Sequence, residues 1–269
     1  MPDATTAKKS ETVAKRPAAR RAAAPMTLVA AMRELEQAGS EQTRKTYARH
    51  GAKGPMFGVS FAFLKVLYKR IGVDHELACA LWDTGNFDAR NLAVKIVDPA
   101  RMSSADLDRW VRETSSSRLS GGYAAMLAAE GPLAVDKANE WLGAEDEATR
   151  SAGFTLLGQL AQRDQTLPDS WFEDRLAEIE RTIHAAPNDQ REPMNLAVIM
   201  VGCRNAALRV AATKTAKRIG KVSVDHGDTA CKTADAASYI DKTWAHSLSK
   251  GFESPAAHER TRERPRVRC

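Results

Sequence analysis

The chain has 269 residues, a formal net charge of +6 and 6% aromatic residues. That length allows one large domain or two small ones, and abundant alanine with little β-branched alternation favours an all-α fold over a sheet protein. No apolar run reaches the ~18 residues of a membrane span, no N-terminal stretch has the pattern of a secretory leader, and four cysteines without a CxxC pair point to a reduced, cytoplasmic setting.

The charge is uneven. Residues 1–25 carry +4 and residues 250–269 carry +3, so 26–249 is close to neutral at −1. Residues 1–25 are Lys, Arg, Ala, Ser, Thr and Pro without apolar periodicity, which predicts a disordered basic tail. Such a tail either tethers phosphate without specificity or is simply solvated.

The folded region is expected over 26–249. Thr27 to Ala38 reads as an amphipathic helix with Leu28, Met32 and Leu35 on one side, stopped by Gly39. A helix from Ser40 or Glu41 to His50 carries Arg44, Lys45 and Arg49, and Lys53 extends that basic strip into the next loop. Ser60 is a candidate N-cap for Phe61 to Ile71, and Gly72 ends that helix. Residues 74–98 read as two helices around a Gly85-Asn86 turn. Each has one apolar stripe: Leu77, Ala80 and Leu81 in the first, and Leu92, Ala93, Ile96 and Val97 in the second. Two such short helices cannot bury their stripes alone, so neighbouring hairpins must stack on them.

A short helix Ala105–Arg112 follows, then a break in pattern over 114–122. Helices are expected to resume at Tyr123–Ala129, Leu133–Leu142, Thr149–Gln162, Pro168–His184, Met194–Cys203 and Ala206–Ile219. Helical hairpins joined by short loops predict an α-solenoid, with Trp82, Trp110, Trp141 and Trp171 packing between helices.

Two stretches near the end stand out. Val224 to Cys231 offers Asp225, His226, Asp228 and Cys231, but the spacing fits no standard zinc pattern. It is read as a connector turning at Gly227, without a metal, leading to a last helix docked by Tyr239, Ile240 and Trp244. Residues 250–269 end in Arg262-x-Arg264-Pro-Arg266-Val-Arg268 and are expected to be a disordered Arg-rich arm, for polyanions or for solubility alone.

Several segments in order resemble the DNA alkylation repair family, the HEAT-like bacterial alkylpurine DNA glycosylases. They are Phe57-Gly-Val-Ser60, Leu81-Trp-Asp-Thr-Gly85, Ala89-Arg-Asn-Leu-Ala93, Asp108-Arg-Trp-Val111, Met194-Asn-Leu-Ala197 and Arg204-Asn-Ala-Ala-Leu208. The resemblance covers roughly residues 26–245 and implies a curved α-solenoid holding duplex DNA, alkylated in the substrates of active members. It implies excision of N3- or N7-alkylated purines with no cofactor. An alkylated purine is already a cationic leaving group, so the enzyme must stabilise an oxocarbenium-like sugar and place a water. A carboxylate near the sugar does both, and aromatic faces assist by cation–π attraction.

Here the chain departs from the family. Where active relatives carry a Trp-Asp-x-x-Asp type stretch, it has Ser117-Arg118-Leu119-Ser120-Gly121-Gly122, and no Asp or Glu lies between Glu113 and Glu130. The carboxylate position falls on Gly121 or Gly122, and a second aromatic position falls near Met200 or Val201. No catalytic residue is therefore assigned. Arg150 and Arg204 match phosphate-binding positions of the family, and Arg90, Lys45 and Arg118 are further candidates for DNA contact. The expected function is DNA binding with N-glycosidic cleavage lost or altered. The competing reading is a non-catalytic solenoid scaffold that binds protein.

Overall fold

Side-chain caps set where most helices begin. Thr27, Ser40, Ser60, Asp74, Asn86, Ser103, Asp146, Asn205, Asp235 and Ser254 each accept a backbone N–H from the first turn they precede. The computed structural model describes residues 25–114 and 118–268; the side chains of 118–121 lie outside that description, and so does the expected tail over 1–24.

Among the described residues there are fourteen α-helices and no strand. They are α1 (Leu28–Ala38), α2 (Glu41–Arg49), α3 (Phe61–Ile71), α4 (His75–Asp83), α5 (Phe87–Ile96), α6 (Ser104–Glu113) and α7 (Arg118–Ala128). Then come α8 (Ala134–Leu142), α9 (Glu147–Arg163), α10 (Asp169–Thr182), α11 (Asn188–Gly202), α12 (Ala206–Ile219), α13 (Ala236–Ser249) and α14 (Pro255–Arg260). No helix among the described residues is long and apolar enough to cross a membrane.

The hairpins stack as two rows. Helices α3, α5, α7, α9, α11 and α13 pack in succession as the inner row, and α4, α6, α8, α10 and α12 lie beside them as the outer row. The central inner helices are buried nearly all round: α5 has only Arg90 outside the buried class, and α9 buries both Gln159 and Gln162. One continuous core runs through the rows, with Trp82, Trp110 and Trp141 fully inside it. Trp82 and Trp110 stack at 3.9 Å with planes 1° apart, tying α4 to α6. Such a pair adds ~0.5–1.5 kcal/mol beyond the area it buries.

Asp88 anchors the N-terminal turn. Its buried carboxylate accepts the N–H groups of Phe57, Gly58 and Val59 at 2.6, 3.0 and 2.8 Å, which fixes the loop before α3 against α5. Charge-assisted bonds of this kind are about twice as strong as neutral ones. Gly58 must be glycine there: its φ is +79°, and a Cβ would lie 2.4 Å from Ser40 O.

Three sequence expectations are corrected. The break at 114–122 ends earlier, because α7 starts at Arg118 and runs through Gly121 and Gly122. Packing of α7 against α5, α6 and α9 outweighs the poor helix propensity of the glycines. Helix α11 starts at Asn188, and Pro193 lies inside it. Pro193 has no N–H for Asp189 O, and Ser151 Oγ donates to that carbonyl at 3.1 Å instead.

The third correction concerns 250–269, expected as a disordered arm. Ser254 caps α14 with Pro255 at its first position, and a 3-10 turn follows at Pro265–Val267. The segment runs back across the C-terminal ends of four inner helices in reverse order. Ala256 N donates to Cys203 O after α11, Arg260 to Gln162 O in α9, Arg266 to Glu130 after α7, and Arg266 again to Val94 O in α5. The inner helices present unsatisfied carbonyls and the negative ends of their dipoles along one edge, and a chain rich in arginine satisfies both.

Candidate nucleic-acid interface

The opposite edge carries the N-termini of the inner helices, where backbone N–H groups and the positive dipole ends favour anions. Arg90, Arg150 and Arg191 occupy the fourth residue of α5, α9 and α11, so one register repeats along this edge. Tyr239 holds the same place in α13 and is half exposed. In α7 that place falls on Gly121, whose side-chain position lies outside the described residues.

These arginines are partnered. Arg90 donates to Trp82 O, Glu113 O and Glu113 Oε2, and lies 5.0 Å from the centre of the Trp82 ring. It stitches the end of α4 to the end of α6 and keeps 20% side-chain exposure. Arg150 pairs with Glu178 of α10 at 2.9 Å and is 35% exposed. Arg191 donates to Ala186 O and Ser223 O, at the foot of the α12–α13 connection. Sequence reasoning missed Arg191; its spacing from the start of α11 was the signal, hidden by placing that start at Met194.

Arg204 does not face the interface. Its guanidinium donates to the carbonyls of Leu160, Ala161, Asp164 and Leu167, and stacks 4.5 Å from the Phe172 ring. Burial pulls its pKa below the usual arginine value. In place of the expected phosphate contact, Arg204 caps the C-terminal end of α9, where the last carbonyls run out of helical donors. Lys45 lies on the solvent face of α2, 74% exposed and 3.5 Å from Glu41. Arg118 starts α7, but its side chain lies outside the described residues.

The positions where active relatives carry their carboxylate and aromatics hold neither. A Cβ on Gly122 would meet no atom within 4 Å, so the place is open. Val201 is fully buried, and the Met200 side chain lies over Gly158, where a Cβ would come 2.7 Å from Sδ. The two flanking carboxylates are already engaged. Glu113 accepts Trp82 Nε1 and Arg90, and Glu130 accepts Arg264 and Arg266 under the C-terminal segment.

The loop 220–235 is tied to α11 at both stems. Asn188 exchanges two hydrogen bonds with Asp225, at 2.7 and 3.0 Å. A relay runs from His226 Nε2 through Thr233 Oγ1 to Glu192. Among the described residues no group of three or more His, Cys, Asp or Glu is arranged to hold a metal ion.

Residues 31–253 match the family described as DNA alkylation repair enzyme. An uncharacterized protein of Listeria innocua is 30% identical over 216 residues, covering 78% of this chain and 93% of that one. An uncharacterized protein of Listeria monocytogenes is 29% identical over the same length. Among solved structures, the chain is similar to a member of "a new family of proteins related to the HEAT-like repeat DNA glycosylases with affinity for branched DNA structures". That likeness has a TM-score of 0.75 and 33% identity, and covers 85% of this chain and 96% of the other. The chain belongs to the DNA alkylation repair enzyme family and has its HEAT-like helical fold.

Proposed function

We propose that this family member binds branched DNA, including its duplex arms, and does not cleave the N-glycosidic bond. The observation that carries the binding half is the 33% identity, over most of both chains, to a protein with affinity for branched DNA. Arg150, Lys45 and the N-terminal edge of the inner row are the groups that would meet phosphate, each contact contributing through the sum.

Loss of cleavage is supported by chemistry. An oxocarbenium-like transition state needs a carboxylate or an equivalent dipole held beside the sugar. The chain has no Asp or Glu between Glu113 and Glu130, and those two are occupied by Arg90 and by Arg266.

Two assays test the reading. Incubation with methylated duplex DNA should release neither N7-methylguanine nor N3-methyladenine, while a mobility shift should detect salt-dependent binding to a four-way junction. Base release above the spontaneous rate overturns the non-catalytic half. Absence of any DNA binding at low salt overturns the other half and leaves the scaffold reading.

A further inference from the structure

Two stretches conspicuous in the sequence are about 180 residues apart, and the fold brings them face to face. The C-terminal end of α2 presents Arg49 and His50, and the tip of the α12–α13 loop presents Asp228, Thr229, Ala230 and Cys231. Between them lies a cleft of ≈ 420 Å³. We propose that this cleft is a gate for one DNA strand, through which a single-stranded arm of a branched substrate passes.

Size and charge carry the proposal. The cleft is at the lower end of the ~300–1,000 Å³ that holds a small guest. That suits one nucleotide of an extended strand and excludes a duplex. Its surroundings are cationic: Arg49 is exposed, with Lys53 beyond it and Lys232 beside Cys231 on the other lip. The side chains of Arg49, Lys53 and Lys232 have no ion-pair or hydrogen-bond partner among the described residues. Arg90, Arg150, Arg191 and Arg204, by contrast, are all engaged. Asp228 is the one carboxylate on the lips.

The loop is also anchored at its base and not at its tip. Its stems are fixed on α11 through Asn188 and through the His226–Thr233–Glu192 relay, while Thr229 Oγ1 bonds within the loop, donating to His226 O and accepting from Cys231 N. Among the described residues, the tip thus stands across the opening with no hydrogen bond to α2. A strand between the lips would place phosphate against Arg49 and Lys53, and closing the lips would encircle it. This inference rests on the DNA-binding reading, and it names the part of the DNA that is read.

Binding by the full chain is measured by fluorescence anisotropy on a forked duplex with two single-stranded arms and on a blunt duplex. The fork should bind more tightly. Arg49→Ala with Lys53→Ala should weaken the fork by roughly tenfold and the blunt duplex much less, since two phosphate contacts are lost only where a strand passes the gate. Asp228→Asn should tighten the fork. A topological test is independent of affinity. In a Cys79→Ser, Cys269→Ser background, Arg49→Cys faces native Cys231, and a bismaleimide can join the lips after DNA is added. Circular single-stranded DNA should then stay bound at about 1 M salt, where screening removes ordinary phosphate contacts, whereas linear DNA should slide out. Equal losses on fork and blunt duplex, or escape of the circle as readily as the line, overturn the gate alone. No binding to any DNA overturns both readings.

Discussion

Lys95 and Arg266 hold each other by reciprocal main-chain bonds. Lys95 Nζ donates to Arg266 O at 2.9 Å, and Arg266 Nη1 donates to Lys95 O at 3.1 Å. Both residues are buried, and Arg266 also reaches Val94 O and the buried Glu130 carboxylate. This clasp fastens the C-terminal segment to the far end of the inner row. Arg266→Ala should cost about 3 kcal/mol, because it strands two carbonyls and leaves a buried carboxylate with only the exposed Arg264 beside it. Arg262→Ala, on the exposed side of the same segment, should stay within about 0.5 kcal/mol. Urea unfolding of the two variants measures the difference, and similar midpoints would mean the clasp adds nothing.

Two of the glycines at helix interiors, Gly122 and Gly153, should respond in opposite directions. Gly122 sits in α7 with open space where a Cβ would go, so Gly122→Ala should stabilise by ~0.5–1 kcal/mol through backbone entropy alone. Gly153 lets α9 approach α8, and a Cβ there would lie 2.7 Å from Leu142 N and 2.8 Å from Trp141 C. Backbone cannot give way as a flexible side chain can, so Gly153→Ala should cost ~1–3 kcal/mol. Thermal unfolding decides it, and a rise in Tm for both would refute the close approach.

A pH effect is expected at the root of the C-terminal segment. The His258 ring stacks on Phe252 at 4.3 Å, its Nδ1 is near Ser247 Oγ, and Arg262 donates to its Nε2 at 3.0 Å. An Nε2 that accepts a bond is unprotonated. Burial, then Arg262 and His246, holds the imidazole below its ordinary value of 6.5, with Glu259 opposing. The unfolded segment therefore binds the proton more readily. Stability is intact above the unfolded pKa and falls as pH drops from there toward the lower folded value. Hydrogen exchange of residues 252–268 should quicken, relative to the rest of the chain, as pH falls below the ordinary imidazole value of 6.5. His258→Phe should flatten that response while keeping the stack, and an unchanged response in the variant would point to another group.

How far the sequence could be read follows from which forces were local. Helix hairpins were legible because apolar stripes and N-caps act within a few residues, as Ser60 and Asn86 do. The C-terminal segment was not. Alternating arginines have the same composition whether they wave in solvent or lie across the ends of stacked helices, and only the parallel stacking of those ends decides. A local hint existed in Ser254-Pro255, a cap followed by proline at the first helical position. Asp88 was also illegible, since its three donors lie 29 to 31 residues away. The candidate site was legible only in residue type. Arg150 lies in the first turn of an inner helix and pairs with Glu178, whereas Arg204 turns inward to carbonyls that no motif reveals.

Arg204 and Lys45 therefore separate stability from binding. Arg204 satisfies four carbonyls and covers the Phe172 ring, so Arg204→Ala should destabilise by about 3 kcal/mol, the loss of a buried, multiply bonded cation. Below its unfolding temperature the variant should bind DNA with an unaltered salt slope, since no phosphate contact has gone. Lys45→Ala removes an exposed cation whose neighbour, Glu41, is exposed too, and stability should stay within about 0.5 kcal/mol. Its effect belongs to counterion release: the slope of log K against log salt should fall by about 0.9. Binding isotherms at four salt concentrations, paired with thermal melts, resolve the two cases. If Arg204→Ala flattens the salt slope while its melt is unchanged, the inward placement of that guanidinium is wrong, and the phosphate role expected from the sequence is restored.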